Sequence, residues 1–299
     1  MGETIPIAVP RKGRPLEAVL DRLAGLAGAE ELADGVISTL RHEKAITKGD
    51  LEPETDVYRR LADYSSSSEG PDYTLLRDDR EGFPRRIVFD SAEIPLEGER
   101  RIRLIGREEP FRALRTHEFA LGFDSADLVL EEVVELGAGP VERIADLNAR
   151  IDPTETDVRV AGGLGDTVYH TLMVTPETAP EAAPIDRAFL ASYEGPLCIV
   201  PRYERLVRAV LGKRVLDGIS FRYPEHGREE EAAIAAHGAG VYLTVTGSTA
   251  RDHGLVLGEE LFPSETVLLE NAAERRSSPA VEAVRNLIAP APAETELVV

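Results

Sequence analysis

The run Ile5 to Val9 is apolar, stops at Pro10 and gives way to the basic turn Arg11-Lys12-Gly13-Arg14. Pro15 suits the first turn of a helix, and Leu16, Val19, Leu20 and Leu23 then recur at helical spacing. The opening therefore predicts a strand, a basic glycine turn and an amphipathic helix. Residues 41–80 are polar, and "SSSSEGPD" at 65–72 reads as a loop. Strands are expected at 85–90 ("RRIVFD") and 100–106 ("RRIRLIG"), and a helix over 108–118 that leads into "FALGFDSADLVLEEVVEL". A polar stretch at 149–158 precedes the strand candidate "VYHTLMVT" at 168–175, and "PETAPEAAPID" reads as a surface excursion. Then "GPLCIVPRYERLVRAVL" repeats the opening order of apolar run, proline, basic turn and amphipathic helix. Strands alternating with helices predict an α/β protein with mainly parallel sheets, in two lobes.

Composition narrows the picture. The 299 residues carry 34 Lys plus Arg against 54 Asp plus Glu, a formal net charge of −20. Such a surface repels nucleic acid and anionic membranes, so neither is an expected partner. Basic residues are nearly all Arg, with Lys at 12, 44, 48 and 213 only, a bias that fits a GC-rich or salt-adapted source. In so acidic a chain, local groups of cations are the informative ones. No apolar run reaches the ~18 residues of a membrane span, and the N-terminus lacks the order of a signal peptide. Cys198, alone in "PLCIV", excludes an internal disulfide and reads as core. A cytoplasmic protein is expected.

The stretch "VYLTVTGSTARDHGLVLGEEL", residues 241–261, holds the most suggestive chemistry. A β-rich run stops at Thr246-Gly247-Ser248-Thr249, and a second apolar run begins at Leu255. Hydroxyls and backbone N–H groups around a glycine after a strand can wrap a phosphate, and a helix start there would add positive charge. The blander alternative is a turn whose hydroxyls merely cap. Arg202 and Arg205 stand at a helix start, where the dipole disfavours cations, and this favours a ligand role for them. His226, Glu229, Glu230 and His237 match no compact zinc spacing and read as a solvated helix face. His170, inside a strand, is either a packed cleft histidine or a catalytic one.

Taken in order, these segments resemble the ATP phosphoribosyltransferase family. "IAVPRKGRPLEAVL" is similar to its first strand, Lys-Gly-Arg turn and helix, and "ALGFDSADLVLEE" to its Asp-Leu-Gly-Ile-x-Gly-x-Asp segment. "LGDTVYHTLMVT" resembles its crossover strand, "IVPRYERLVRAVL" its Ala-Thr-(Lys/Arg)-Tyr-Pro strand and helix, and "TVTGSTARDHGLVLGEELFPSETVLLEN" its Thr-Gly-x-Thr loop and returning strand. The resemblance spans residues 4–271. It implies an α/β, two-lobed fold of the type-2 periplasmic-binding-protein kind with a cleft between lobes. One lobe would hold residues 1–165 and 255–275, the other 166–254, with a C-terminal helix and tail over 276–299.

It also implies phosphoribosyl transfer from phosphoribosyl pyrophosphate (PRPP) to a ring nitrogen of ATP or a related heterocycle, with Mg²⁺, in a homo-oligomer. The assigned catalytic residues are Lys12, Arg14 and His170; Tyr242, Thr246, Gly247, Ser248, Thr249, Arg202, Asp124 and Glu230 are the substrate contacts. No protein-held metal site is assigned.

Departures from the family fall on the ribose side. Tyr242 stands where the family has an Asp, Ala120 replaces the Asp of Asp-Leu-Gly, and Ser125 the following Gly. His170 occupies the basic position of the crossover strand, and Glu229 or Glu230 is the counterpart of the acid in Gly-Ser-Val-Glu. The tail after Asn271 is too short for a regulatory domain, so feedback inhibition through one is not expected. The chain thus reads as a diverged paralogue. The competing reading is a two-lobed binding protein for a phosphorylated small molecule that kept the loop and lost catalysis.

Overall fold

A computed structural model describes residues 4–65, 70–77, 85–96, 100–225 and 229–289. Two compact units divide the chain, each assembled from separate stretches. Among the described residues, the first holds those of 4–124, 157–166 and 266–289, and the second those of 125–156 and 167–265. The expected lobe boundaries differ from these, because 125–156 and 255–265 belong to the second unit.

The first unit is built on a seven-stranded sheet of β1 (Thr4–Pro10), β2 (Asp72–Arg77), β3 (Arg85–Pro95), β4 (Arg101–Arg107), β5 (Leu121–Ser125), β6 (Val158–Gly163) and a late strand, Thr266–Asn271, numbered β12. The order is β2-β3-β4-β1-β5-β12-β6. β1 lies between β4 and β5 and runs parallel to both, with Ile7 opposite Leu104 and Leu121. The sheet is mixed rather than mainly parallel: β3 pairs antiparallel with β2 and β4, and β12 antiparallel with β6. The link from β3 to β4 is a few residues, too short for the crossover that parallel pairing needs.

The opening pattern folds as expected. The helix Gly13–Ala27 buries Leu16, Val19, Leu20, Leu23 and Ala24, and ends at Gly28, whose φ of 64° is the left-handed conformation glycine tolerates. Its apolar face joins Ile5, Ile7, Phe89, Ile102, Leu104 and Phe123 in one core. Burying each such Leu or Val side chain contributes about 1.5–3 kcal/mol.

The polar reading of 41–80 missed three elements: the helix Glu30–Lys48, the helix Val57–Tyr64 and β2. The first buries a narrow stripe, Ala33, Val36, Ile37 and Ile46, while its other faces are charged. The second starts at Asp56, whose carboxylate accepts from the N–H groups of Tyr58 and Arg59. The helix expected over 108–118 is the shorter Pro110–Arg115.

The second unit carries a five-stranded sheet of β7 (Val168–Val174), β8 (Pro196–Cys198), β9 (Ser220–Arg222), β10 (Ala239–Thr244) and β11 (Val256–Ser264), ordered β11-β7-β10-β8-β9. β7 pairs antiparallel with β10 and β11, whereas β8 runs parallel to β10 and β9. The pairing of β11 with β7 explains why 256–264 belongs here. The repeated pattern near Cys198 yields β8, a single turn at Pro201–Tyr203 and the helix Glu204–Leu211, which buries Leu206, Val207, Val210 and Leu211. Cys198 is fully buried with Met173, Ile234 and Leu255. Among the described residues no helix is long and apolar enough to cross a membrane.

Candidate functional site

Two features of the second unit carry chemistry. The first is the turn after β10. Gly247 adopts φ 68°, ψ 14°, and any side chain there would be strained and would collide with Leu257 Cδ1. Its left-handed backbone folds the hydroxyls inward on one another. Thr246 Oγ1 and Ser248 Oγ are 3.1 Å apart, and the Ser248 N–H points at Thr246 Oγ1 at 3.4 Å. Thr246, Gly247, Ser248 and Thr249 line a hollow of about 210 Å³, with Glu231 on its wall. Arg251 donates to the Thr246 carbonyl at 2.8 Å, which holds the turn closed and brings a guanidinium beside it. The helix that follows, Ser248–Asp252, has five residues, so its dipole adds little and the donors of the turn are its hydroxyls and backbone N–H groups.

The second feature is a buried polar cluster. His170, on β7, is 1% exposed, and its Nε2 lies 3.2 Å from Asp127 Oδ1. The approach is not aligned as a hydrogen bond, and neither imidazole nitrogen has a hydrogen-bond partner among the described residues. The other Asp127 oxygen accepts from Ser264 Oγ at 2.9 Å. The ring of Tyr203 meets His170 edge-on, with centroids 5.0 Å apart. The Arg202 guanidinium lies 4.5 Å from the centre of the Tyr203 ring and donates to its hydroxyl.

One helical turn beyond Asp127, on the helix Ala126–Glu132, is Glu131. Burial pushes its carboxyl up to about 7; Asp127 and Glu132 add to the shift, and Arg202 and His170 oppose it. The Tyr242 phenol is pushed up to about 12, first by burial and then by Glu230, Tyr203 and Glu231. Glu230, on the helix Glu230–His237, thus acts electrostatically on Tyr242 and lies beside the same cluster.

The structure therefore brings His170, Arg202, Tyr242 and Glu230 into one electrostatic group and gathers Thr246–Thr249 in one turn. Asp127, Glu131, Tyr203 and Arg251 were not singled out from the sequence. Asp127 and Glu131 sit four apart on one helix face, directly after the Leu-Gly segment, and that spacing was the available signal. Asp124, chosen instead, is 5% exposed and accepts from the Phe111 N–H at 2.9 Å, which anchors the start of the helix Pro110–Arg115 within the first unit. Lys12 and Arg14 also belong to the first unit. Arg14 pairs with Asp166 at 2.5 Å, and Asp166 in turn accepts from both the N–H and the hydroxyl of Thr266. Arg205 donates to the Val134 carbonyl, a packing contact. Of the residues weighed as a metal cluster, His226 lies outside the described residues, and Glu229 pairs with His253 at 3.0 Å. Among the described residues no group of three His, Cys, Asp or Glu side chains could hold a metal.

The model of a family described as halobacterial ATP phosphoribosyltransferase matches residues 1–299. No curated protein matches the chain. Among solved structures, the chain is similar to the ATP phosphoribosyl transferase complex of Thermotoga maritima, with 16% identity over 95% of this chain and 96% of that one and a TM-score of 0.42. It is also similar to YhfZ of Shigella flexneri, with 10% identity over 95% and 86% of the two chains and a TM-score of 0.45.

Proposed function

The chain belongs to the halobacterial ATP phosphoribosyltransferase family, and from that premise we propose that it transfers phosphoribosyl from PRPP to a ring nitrogen of ATP or a closely related purine nucleotide. The observation that carries the reading is the closed turn Thr246–Thr249. Its left-handed glycine and neighbouring hydroxyls frame a hollow with room for a phosphate group, suited to the 5-phosphate of the donor.

Displacement at the anomeric carbon needs little covalent help from a protein. It needs the ribose held in line and the developing charges stabilised. In this reading Asp127 and Glu131 supply negative potential for an oxocarbenium-like centre, and Arg202 steadies the departing oxyanion. Lys12 and Arg14 keep the assignment of neutralising pyrophosphate. Attack by a purine ring nitrogen leaves a cationic base that must lose a proton from its exocyclic amine. Glu131, titrating near neutrality, is suited to accept it. His170, almost wholly buried, is a charge neighbour of Asp127 rather than a substrate contact, and the Ser264 hydroxyl holds the carboxylate. Tyr242 offers a flat face where the family has a carboxylate and suits stacking on a heterocycle.

Magnesium is carried by the same reading as a partner of the pyrophosphate oxygens and not of a protein cage. The donor set, two carboxylates beside a guanidinium, is poor for a protein-held Mg²⁺, which favours substrate phosphates and water. Self-association into a homo-oligomer is part of the proposal and is checked by light scattering.

The deciding experiment is pyrophosphate release from PRPP with ATP, other purine nucleotides and free bases, in the presence of Mg²⁺. Release that depends on ATP or a related nucleotide is expected. Silence with every acceptor, from folded protein, would remove the reading.

A further inference from the structure

We propose that Glu231 is the specificity residue of the hollow at Thr246–Thr249, its carboxylate accepting hydrogen bonds from adjacent hydroxyls of the sugar phosphate bound there. The inference rests on the reading that this turn holds the phosphate of PRPP, and it adds what selects the rest of the ligand. The wall of the hollow carries the hydroxyls of Thr244, Thr246, Ser248 and Thr249, all of which can donate to an anion. Among the described residues that line it, Glu231 alone is charged, and its charge has the wrong sign for a phosphate.

Glu231 is partly buried and makes no hydrogen bond or ion pair among the described residues. Its neighbours are differently placed. Glu229 pairs with His253 at 3.0 Å, and Glu230 is not on the wall of the hollow. The positive end of the helix Glu230–His237 favours a carboxylate in its first turn, and Glu230 meets that preference as well as Glu231 does. The dipole therefore leaves unexplained why one of the two stands in an anion hollow, where like charge opposes a bound phosphate. A carboxylate has acceptor oxygens and no donor, so a ligand that brings donors beside its phosphate removes the conflict.

A pentose 5-phosphate is such a ligand. Its 2- and 3-hydroxyls sit on adjacent carbons of the ring that bears the phosphate arm, so one carboxylate can accept from both while the phosphate stays in the turn. Tyr242, where the family has a carboxylate, offers a single phenol oxygen and a ring. Glu231, within electrostatic reach of Tyr242 but carried by a different element, supplies the missing acceptor from another direction. Leu243 and Val245 also line the hollow and suit the apolar face of the sugar. The same carboxylate disfavours inorganic phosphate and pyrophosphate, which bring charge without a diol.

The probes are methyl ribofuranoside 5-phosphate, its 2,3-dideoxy counterpart and inorganic phosphate. They are titrated calorimetrically into the full chain with EDTA, in KCl at a concentration where circular dichroism shows it folded. Wild type should bind the diol probe more tightly than either of the others by roughly tenfold or more. Glu231→Gln should lose that preference and bind inorganic phosphate at least as tightly as wild type, because the repelling charge is gone. Glu231→Ala takes its place if the glutamine variant fails to fold. Thr249→Ala should weaken all three probes and keep the preference. No binding of the diol probe by wild type, no preference for it, or a preference that survives in the Glu231 variants would each overturn the contact. Weaker binding of inorganic phosphate by those variants would overturn it too. Unaltered binding in Thr249→Ala would put the sugar phosphate elsewhere, and a preference seen only when Mg²⁺ replaces EDTA would give the carboxylate to the ion; either result sinks the proposal. A chain that shows the Glu231-dependent preference but releases no pyrophosphate keeps this contact and loses the transferase reading. One that releases pyrophosphate without the preference loses this contact alone.

Discussion

Thr249 and Glu131 show what single side chains contribute at the proposed site. Thr249 lines the hollow of the turn, and in the proposed function its hydroxyl donates to the bound phosphate. Removing one donor to a charged acceptor costs about 1.5–3 kcal/mol. Thr249→Ala should therefore raise the dissociation constant for PRPP roughly tenfold to a hundredfold by calorimetry, with an unchanged melting temperature. An unaltered constant would mean that the turn is no cradle. Glu131 makes a prediction about pH. Its carboxyl sits near 7 in the folded chain against an ordinary 4.5, so the folded state keeps a proton that the unfolded state has released. Stability is therefore lost as the pH rises from about 4.5 through 7. Because the group is partly solvated, the ideal linkage value must be reduced, to about 1 kcal/mol. Glu131→Gln should be more stable than wild type by about that amount at pH 8, equal to it at pH 4, and defective in turnover. Denaturant titrations at the two pH values test the sign, and a variant less stable at pH 8 would refute it.

At the scale of elements, the end of β12 joins strand, helix and neighbour through one side chain. Asn271 is fully buried, and its Oδ1 accepts from the N–H groups of Ala273 and Glu274, capping the helix Ala272–Ser277. Its Nδ2 donates to the Leu114 carbonyl at 2.9 Å, tying that cap to the helix Pro110–Arg115. Asn271→Ala removes the cap and one of the two donors to the Leu114 carbonyl, which keeps the His117 N–H, a combined cost of roughly 1–2 kcal/mol. Urea unfolding should show that loss in the midpoint, while Asn271→Asp, which keeps the cap but cannot donate to Leu114, should fall between. A loss below about 0.5 kcal/mol for the alanine variant would show that neither bond is required. The β1 unit was legible beforehand because apolar run, proline, basic turn and helical leucines all agree locally. The helix Glu30–Lys48 was not, because only a narrow stripe of it is buried and the polar residues around that stripe hid the period.

Over the whole molecule the net charge of −20 dominates. Such a surface repels itself in the compact state, and salt relieves the repulsion, since the screening length falls from about 10 Å at 0.1 M to about 3 Å at 1 M. The melting temperature should climb steadily with KCl across that range. A flat or falling curve would show that the acidic surface is not limiting stability. The same background makes the basic turn Lys12–Arg14 conspicuous.

From its sequence alone, the chain declared its α/β class, its N-terminal strand–turn–helix, the turn at Thr246–Thr249 and its family, because each is written in neighbouring residues whose preferences agree. Tertiary structure decided the rest. It set the mixed pairing of both sheets, the placement of 125–156 and 255–265 in the second unit, and the meeting of Asp127, Glu131, His170 and Arg202. Those four residues come from three separate segments, and nothing local to any one of them specifies the others. Asp124 and Asp127 are alike as letters in "LGFDSAD". One is bound to the backbone of Phe111 and the other lies against a buried imidazole, because strand and helix turn their side chains to different surroundings.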